Sequence, residues 1–320
     1  MSLMRKVLLA GSTNTWLRDH ATKAAFVRRA VSAFMPGETI DDALRAAHEL
    51  KRQGINTILT RLGENITRAD EAEEVTQHYF DVLDKVAAAG LDAQVSVKPT
   101  QLGLDQDAAL CRRNLDRLIE RTGQRGNFLW IDMESSAYVD RTLDLFRRTR
   151  ARSARIGVAL QAYLYRTEAD LESLLPLRPA VRIVKGAYLE PPSVAFPKKA
   201  DVDRNFYRLA CRALEAGDPA AGSLVHLATH DERLVNRLEA FVGERRVAAA
   251  GYEYAMLYGI QRPLQRRLAR AQRPLRVLIS YGDYWFPWYM RRLAERPANV
   301  WFVVKSVFAR RDSFDKAPVA

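Results

Sequence analysis

Eight short apolar runs punctuate this chain, each rich in β-branched, leucine or aromatic residues and each followed by a longer amphipathic stretch. The runs are Ile55–Thr60, Asp92–Val97, Phe128–Met133, Arg155–Tyr163, Val181–Val184, Ser223–Ala228, Arg246–Tyr254 and Leu275–Ser280. Their near-continuous apolar character suits strands buried on both faces, the condition of a parallel sheet covered by helices. Between them, Val75, Tyr79, Val82 and Val86 recur at helical spacing ahead of Gly90, a C-cap residue type. Leu110, Leu115, Leu118 and Ile119 mark a second helix, with Asp105 near its start, where a carboxylate complements the helix dipole. Leu143, Leu145 and Phe146 mark a third, and Leu234, Leu238 and Phe241 a later one. Eight strand–helix units in sequence predict a distorted (βα)8 barrel of the TIM type, with right-handed parallel connections. An open doubly wound sheet is the alternative, but no G-x-G-x-x-G follows an early strand.

Two additions to the plain barrel pattern are visible. Trp16–Met35 and Thr39–Gln53 read as helices separated by Pro36-Gly37, giving an N-terminal helical segment over 1–53, a barrel over 54–310 and a tail over 311–320. After the fifth run, Glu190–Lys199 carries three prolines and excludes a helix, which resumes over Asp201–Ala216. An insertion there belongs at the barrel mouth, where active-site loops are built.

The 320 residues are 48% apolar and 28% charged, which supports a large core and argues against disorder. No uncharged apolar run of about 18 residues is present to span a membrane. The N-terminus lacks a secretory signal pattern, and Met1-Ser2-Leu3-Met4 reads as a remnant ahead of a native start at Met4. Cys111 and Cys211 suggest no disulfide, so a reducing, cytoplasmic compartment is expected, and the Cys and His positions offer no zinc-ligand spacing. The net charge of +12 is concentrated in stretches such as Arg147–Arg155 and Gln265–Arg273, interleaved with apolar helical positions, which reads first as solvated helix faces. No nucleic-acid-binding module is recognisable, and no nucleic-acid partner is expected.

In a βα barrel, catalytic groups project from the C-terminal ends of the strands and from the loops beyond them. That rule selects Glu64, Lys98, Asp132-Met133-Glu134, Gln161, Arg182, Lys185-Gly186-Ala187-Tyr188, Thr229-His230-Asp231 and Tyr281-Gly282. A Lys, an Asp, an Arg, a second Lys and a His converge on one rim, more charge than packing accounts for. Beyond the eighth run, Trp285–Glu295 reads as a helix with adjacent Arg291 and Arg292, and with Glu295 four residues after Arg291. Neighbouring arginines point about 100° apart, so they converge only on a ligand lying across the helix. Two guanidinium forks select a carboxylate. An ordinary Arg–Glu pair on a solvated helix fits the same spacing.

The runs VRIVKGAY (Val181–Tyr188), LATHD (Leu227–Asp231), YEYAMLYGI (Tyr252–Ile260) and YGDYWFPWYMRRLAERPAN (Tyr281–Asn299) resemble those of the proline dehydrogenases, FAD-dependent enzymes of proline catabolism. The likeness extends from about Glu64 to Asn299, and the chain length matches the single-function bacterial type. The resemblance implies that L-proline is oxidised to pyrroline-5-carboxylate by hydride transfer from C5 to the flavin N5. By the same likeness, Arg291, Arg292 and Lys98 hold the substrate carboxylate. Glu64 pairs with the first of the two arginines, and Glu295 joins this substrate-binding set. Asp132 is the catalytic aspartate, paired with Lys98, and Arg182 lies near N5. Met133, Gln161, Val184, Lys185, Gly186, Ala187, Thr229 and His230 match flavin-contacting positions, while Tyr188 and Leu257 wall the pyrrolidine ring. The resemblance further implies a membrane quinone as electron acceptor, peripheral contact with the inner face of the cell membrane, and a pyrroline-5-carboxylate dehydrogenase downstream. Leu278 stands where relatives often carry tyrosine, which would loosen discrimination against hydroxyproline. Ala255 stands where a glutamine is common, removing one flavin hydrogen bond. A non-redox lyase or aldolase using Lys98 or Lys185 as a Schiff-base amine is the competing reading.

Overall fold

Residues 31–63, 66–286 and 289–290 are described by a computed structural model. The chain divides into two compact units, Pro36–Gly282 and a second made of Met1–Met35 with Asp283–Ala320. In the second, the rings of Phe34 and Trp285 each lie 6.3 Å from that of Tyr289. The first unit carries the eight strands.

Those strands are β1 (Asn56–Arg61), β2 (Ala93–Val97), β3 (Leu129–Ile131), β4 (Ile156–Gln161), β5 (Ala180–Val184), β6 (Leu224–Ala228), β7 (Tyr252–Leu257) and β8 (Leu275–Tyr281). Each pairs in parallel with the next, and β8 returns to β1 over six residue pairs from Asn56↔Arg276 to Arg61↔Tyr281. The sheet is therefore a closed barrel. Helices alternate with strands along the chain: α1 (Ile40–Arg52), α2 (Ala69–Ala88), α3 (Ala108–Gln124), α4 (Val139–Arg150), α5 (Thr167–Leu174), α6 (Lys199–Ala216), α7 (Glu232–Arg245) and α8 (Arg262–Arg270). Their apolar stripes, such as Val75, Tyr79, Val82, Leu83 and Val86 on α2, join the outward-facing strand residues in one core cluster between barrel and helices.

Local chemistry sets the boundaries. Thr39 and Asp42 form a capping box on α1, with the Thr39 hydroxyl accepting from the Asp42 amide and the Asp42 carboxylate accepting from the Thr39 amide. Asp107, not Asp105, caps α3, accepting from the amides of Ala109 (2.8 Å) and Leu110 (3.1 Å). Asp105 instead accepts from the Tyr138 hydroxyl at 2.8 Å. Gly90, with φ +58°, follows α2 in the left-handed conformation that ends a helix. Helix α1 packs against β1 and β8 within the barrel unit, so the boundary expected at residue 54 falls instead at Pro36.

The expected seventh strand, Arg246–Tyr254, starts too early. Arg246 takes a left-handed backbone (φ 52°) to end α7, and Ala249–Gly251 forms a 3₁₀ turn, so pairing begins only at Tyr252. The proline-rich insertion after β5 is a strap tied to neighbouring loops. Leu164 and Ala195 form an antiparallel bridge, and the Phe196 amide donates to the Tyr163 carbonyl at 2.7 Å. The Glu190 carboxylate accepts from the Ser136 amide at 2.6 Å and from its hydroxyl at 2.5 Å.

Candidate active site

The lumen of the barrel is polar. Arg182 on β5 donates from Nη1 to Asp132 Oδ1 (3.0 Å), just beyond β3, and to Ser96 Oγ on β2 (3.2 Å). The Ser96 hydroxyl donates to the same Asp132 oxygen at 2.8 Å. Bonds from β5 to β2 and β3 of a closed barrel run through its interior, so these three side chains point inward. The two-residue strand period places Lys98, Trp130 and Val184 on the same inner face. Trp130 lies under Arg182, with the guanidinium carbon 4.6 Å from the ring centroid.

Arg182 is 3% exposed, and burial pulls its guanidinium below its ordinary pKa against the opposing charge of Asp132. A guanidinium has five N–H donors. Here Nε and Nη2 have no partner among the described residues, although both are buried. Gln161 is in a similar position at the end of β4. Its Nε2 donates to the Glu134 carbonyl at 2.6 Å, while its buried Oε1 has no partner among the described residues.

The expected pairing of Asp132 with Lys98 is replaced by Asp132–Arg182. Lys98 makes no ion pair among the described residues and caps the 3₁₀ turn Pro99–Leu102 as the chain leaves β2. The other rim lysine, Lys185, donates to Asp203 at 2.6 Å and reaches Asp231 at 3.5 Å, and Lys199 bridges the same two carboxylates. An ammonium held by two carboxylates is a poor Schiff-base nucleophile, which removes half of the lyase reading. His230 Nε2 accepts the Leu257 amide at 2.8 Å, so that nitrogen carries no proton and the imidazole is neutral. The Thr229 hydroxyl accepts from the Asp231 amide at 3.2 Å, and Asp231 caps α7 through the Arg233 amide.

A sequence profile described as proline dehydrogenase matches residues 43–305. The chain belongs to the proline dehydrogenase family. Proline dehydrogenase of Deinococcus radiodurans is 39% identical over 279 residues, covering 86% of this chain and 88% of that protein. Proline dehydrogenase 1 of Bacillus subtilis strain 168 is 34% identical over 308 residues, covering 96% and 100%. Among solved structures, proline utilization A from Bdellovibrio bacteriovorus, inactivated by N-propargylglycine, superimposes with a TM-score of 0.78 at 21% identity. That likeness covers 92% of this chain and 36% of the solved one, and it concerns the fold alone.

The remaining family positions fall as follows. Val184 ends β5, and its carbonyl accepts the Ala162 amide at 2.8 Å. Lys185, Gly186, Ala187 and Tyr188 continue the same rim and are half-buried. Gly186 has φ +113°, and a Cβ there would overlap the Tyr163 ring. Close approach of Tyr163, rather than of a cofactor, is thus the immediate reason for glycine. Leu257 ends β7 half-buried, and Met133 is buried in the core cluster. Ala255 and Leu278 lie on the inner face of β7 and β8, as expected from their register. Glu64, Arg291, Arg292 and Glu295 lie outside the described residues. Sequence reasoning missed Ser96, Trp130 and Gly157. Strand parity was the available signal, since Ser96 precedes Lys98 by two and Trp130 precedes Asp132 by two.

Proposed function

We propose that this chain oxidises L-proline to pyrroline-5-carboxylate using FAD, in the first step of proline catabolism. Proline oxidation goes with the family to which the chain belongs, so the protein is an oxidoreductase. The observation that carries the cofactor is the set of unpartnered buried groups around Arg182. Leaving a buried donor or acceptor unsatisfied costs about 1–3 kcal/mol, so Nε and Nη2 of Arg182 and Oε1 of Gln161 call for a ligand. The edge of an isoalloxazine offers ring nitrogens and carbonyls as acceptors and one imide N–H as donor, which matches this set.

Bound there, FAD supplies the acceptor for the hydride that leaves C5 of proline. Arg182, fixed by Asp132 and Ser96, places a permanent cation where negative charge arrives. Gln161, Val184, Lys185, Gly186, Ala187, Thr229, His230 and Met133 would hold the cofactor. Lys98, Arg291 and Arg292 would take the substrate carboxylate, with Glu64 pairing with Arg291 and Glu295 in the same substrate-binding set, and Tyr188 and Leu257 would enclose the ring. Asp132 uses Oδ1 for Arg182 and Ser96, which leaves Oδ2 for the substrate amine. Orientation of proline by its acid end accounts for much of the acceleration.

The net charge of +12 supports peripheral contact with an anionic membrane from the cytoplasmic side, where a membrane quinone takes the electrons. Among the described residues, no helix is long and apolar enough to cross a membrane. A pyrroline-5-carboxylate dehydrogenase consumes the product.

Protein supplemented with FAD should show flavin absorption that bleaches anaerobically on adding L-proline. Failure to retain flavin overturns the cofactor reading, and flavin that stays oxidised in saturating proline overturns the substrate reading. Arg291→Ala and Arg292→Ala should each raise the proline KM by roughly 10- to 100-fold with flavin still bound.

A further inference from the structure

Trp130 is fully buried on the lumen side of β3, in a layer that aliphatic side chains could have filled. Three features show that its ring is placed rather than merely packed. The indole N–H donates to Gln94 Oε1 at 2.7 Å, which fixes the rotation of the ring about its own axis. On the next strand stands Gly157, and any Cβ there would overlap the six-membered edge of the indole. His226 also lies against the ring, with ring centroids 4.1 Å apart and planes inclined by 36°.

His226 stands beside a buried carboxylate, although neither of its ring nitrogens makes a hydrogen bond among the described residues. It sits 2.7 Å from Glu253, which accepts from Arg276 at 2.6 and 2.7 Å, and Arg276 also donates to Asp92 at 2.9 Å. Burial holds the imidazole neutral, with its pKa lowered to about 4 against the pull of Glu253. The imidazole against the ring therefore adds no second cation to the one above.

The one above is Arg182. Its polar anchors, Asp132 and Ser96, both act on Nη1, at one corner of the guanidinium. Anchoring at one corner leaves the plane free to swing about that nitrogen. The indole face 4.6 Å below removes this freedom, because a cation is drawn to the ring quadrupole and the planar group lies best along it.

We infer that Trp130, seated by Gln94, Gly157 and His226, is the positioning residue that sets the plane of the Arg182 guanidinium and turns its unpartnered N–H groups toward the cofactor. The inference rests on the proposal that FAD binds at these groups. Trp130 touches neither substrate nor cofactor in this account and acts through Arg182 alone.

Two arms test it. In protein without added flavin, the Arg182 side-chain protons, assigned by their loss in Arg182→Lys, should carry an upfield ring-current shift that Trp130→Leu abolishes and Trp130→Phe retains. In protein loaded with FAD, Trp130→Leu should lower the limiting rate of flavin reduction by proline by about tenfold and make the flavin midpoint potential more negative. The apparent Kd for proline should stay within about twofold, because the carboxylate-binding groups are untouched. Trp130→Phe, which restores an aromatic face, should recover most of the rate.

A general distortion of the site would instead weaken proline binding along with the rate and would not be rescued by Phe. Gln94→Leu leaves the ring present but unanchored and should give an intermediate loss, which keeps the question answerable if Trp130→Leu does not fold. Unchanged rate and potential in a folded Trp130→Leu, or in Gln94→Leu if it is the variant that folds, overturn the inference. If wild-type protein takes up no flavin, the ring-current arm still decides whether the seat exists, and the failure falls on the cofactor proposal.

Discussion

Ser96 shows how much one hydroxyl can settle at the residue scale. It donates to Asp132 and accepts from Arg182, closing a three-residue ring inside the barrel. Ser96→Ala should cost about 1–3 kcal/mol in urea unfolding, since it removes one acceptor from a buried guanidinium already short of partners. Restoration of that loss on adding FAD would place the cofactor on the same guanidinium. Gly186 makes a second case. Gly186→Ala combines a left-handed backbone at φ +113° with overlap of the Tyr163 ring. A loss of about 2–4 kcal/mol is expected in equilibrium unfolding. Adding Tyr163→Ala should relieve the overlap but not the backbone strain, so the double variant should recover only part. Gly90→Ala is the control: its φ is +58° with nothing within 4 Å, and the expected cost is about 1 kcal/mol. Much of the site could be read from residue types at strand ends, but the partner of Asp132 could not. Lys98 just beyond β2 and Arg182 in β5 share the inward parity, and only the packed lumen decides which one reaches the carboxylate.

At the scale of elements, the strands were most legible where they are buried on both faces. All six residues of β4 are buried, and its apolar run is unbroken from Ile156 to Leu160. Strand β7 hid itself because Glu253 interrupts its apolar pattern in order to meet His226 and Arg276 in the lumen, while the run from Val247 to Ala250 imitates a strand outside the sheet. The carboxylate that caps α3 is two residues beyond the one expected to complement its dipole, for a related reason. Asp105 and Asp107 both precede the helix, and the side chain that faces Tyr138 cannot also face the first turn. The insertion after β5 was legible as non-helical from its prolines, whereas its anchoring was not, because Glu190 and Ser136 meet only across two loops. Glu190→Ala should remove both Ser136 bonds and loosen the strap. Tryptic cleavage after Lys198 should then become about fivefold faster, while global unfolding changes little. Equal cleavage rates in the two proteins would mean that the bridge at Leu164 and Ala195 fixes the strap without help from Glu190.

For the molecule as a whole, the many surface ion pairs contribute less than their number suggests, because exposed pairs contribute only about 0–1 kcal/mol each. The groups that link stability to pH are buried. Burial lowers the His226 pKa to about 4, against the favourable pull of Glu253, and the imidazole is fully enclosed. Burial, with Arg61 nearby, likewise lowers His78 to about 4, and His78 is hydrogen-bonded to the Tyr281 hydroxyl at 2.8 Å. Burial also works to raise the Glu253 pKa, but His226 and Arg276 outweigh it and hold the carboxyl far below its ordinary range. The sign is the same for all three. An unfolded histidine takes up a proton as pH falls through about 6.5, while the folded ones stay neutral until about 4, so the unfolded chain binds more protons across that window. Stability is therefore complete above pH 6.5 and declines from there toward pH 4, with Glu253 extending the loss into stronger acid. Fully buried His226 alone accounts for up to about 3 kcal/mol of this, and half-buried His78 adds a smaller share that solvent screens. Denaturant unfolding at a series of pH values from 7.5 to 4.5 should show the decline, and His78→Gln should flatten it only slightly. A profile that is level across this window would mean that His226 takes up its proton as readily in the folded protein as in the unfolded chain, which would put a second cation against the indole that carries Arg182 below about pH 6.5.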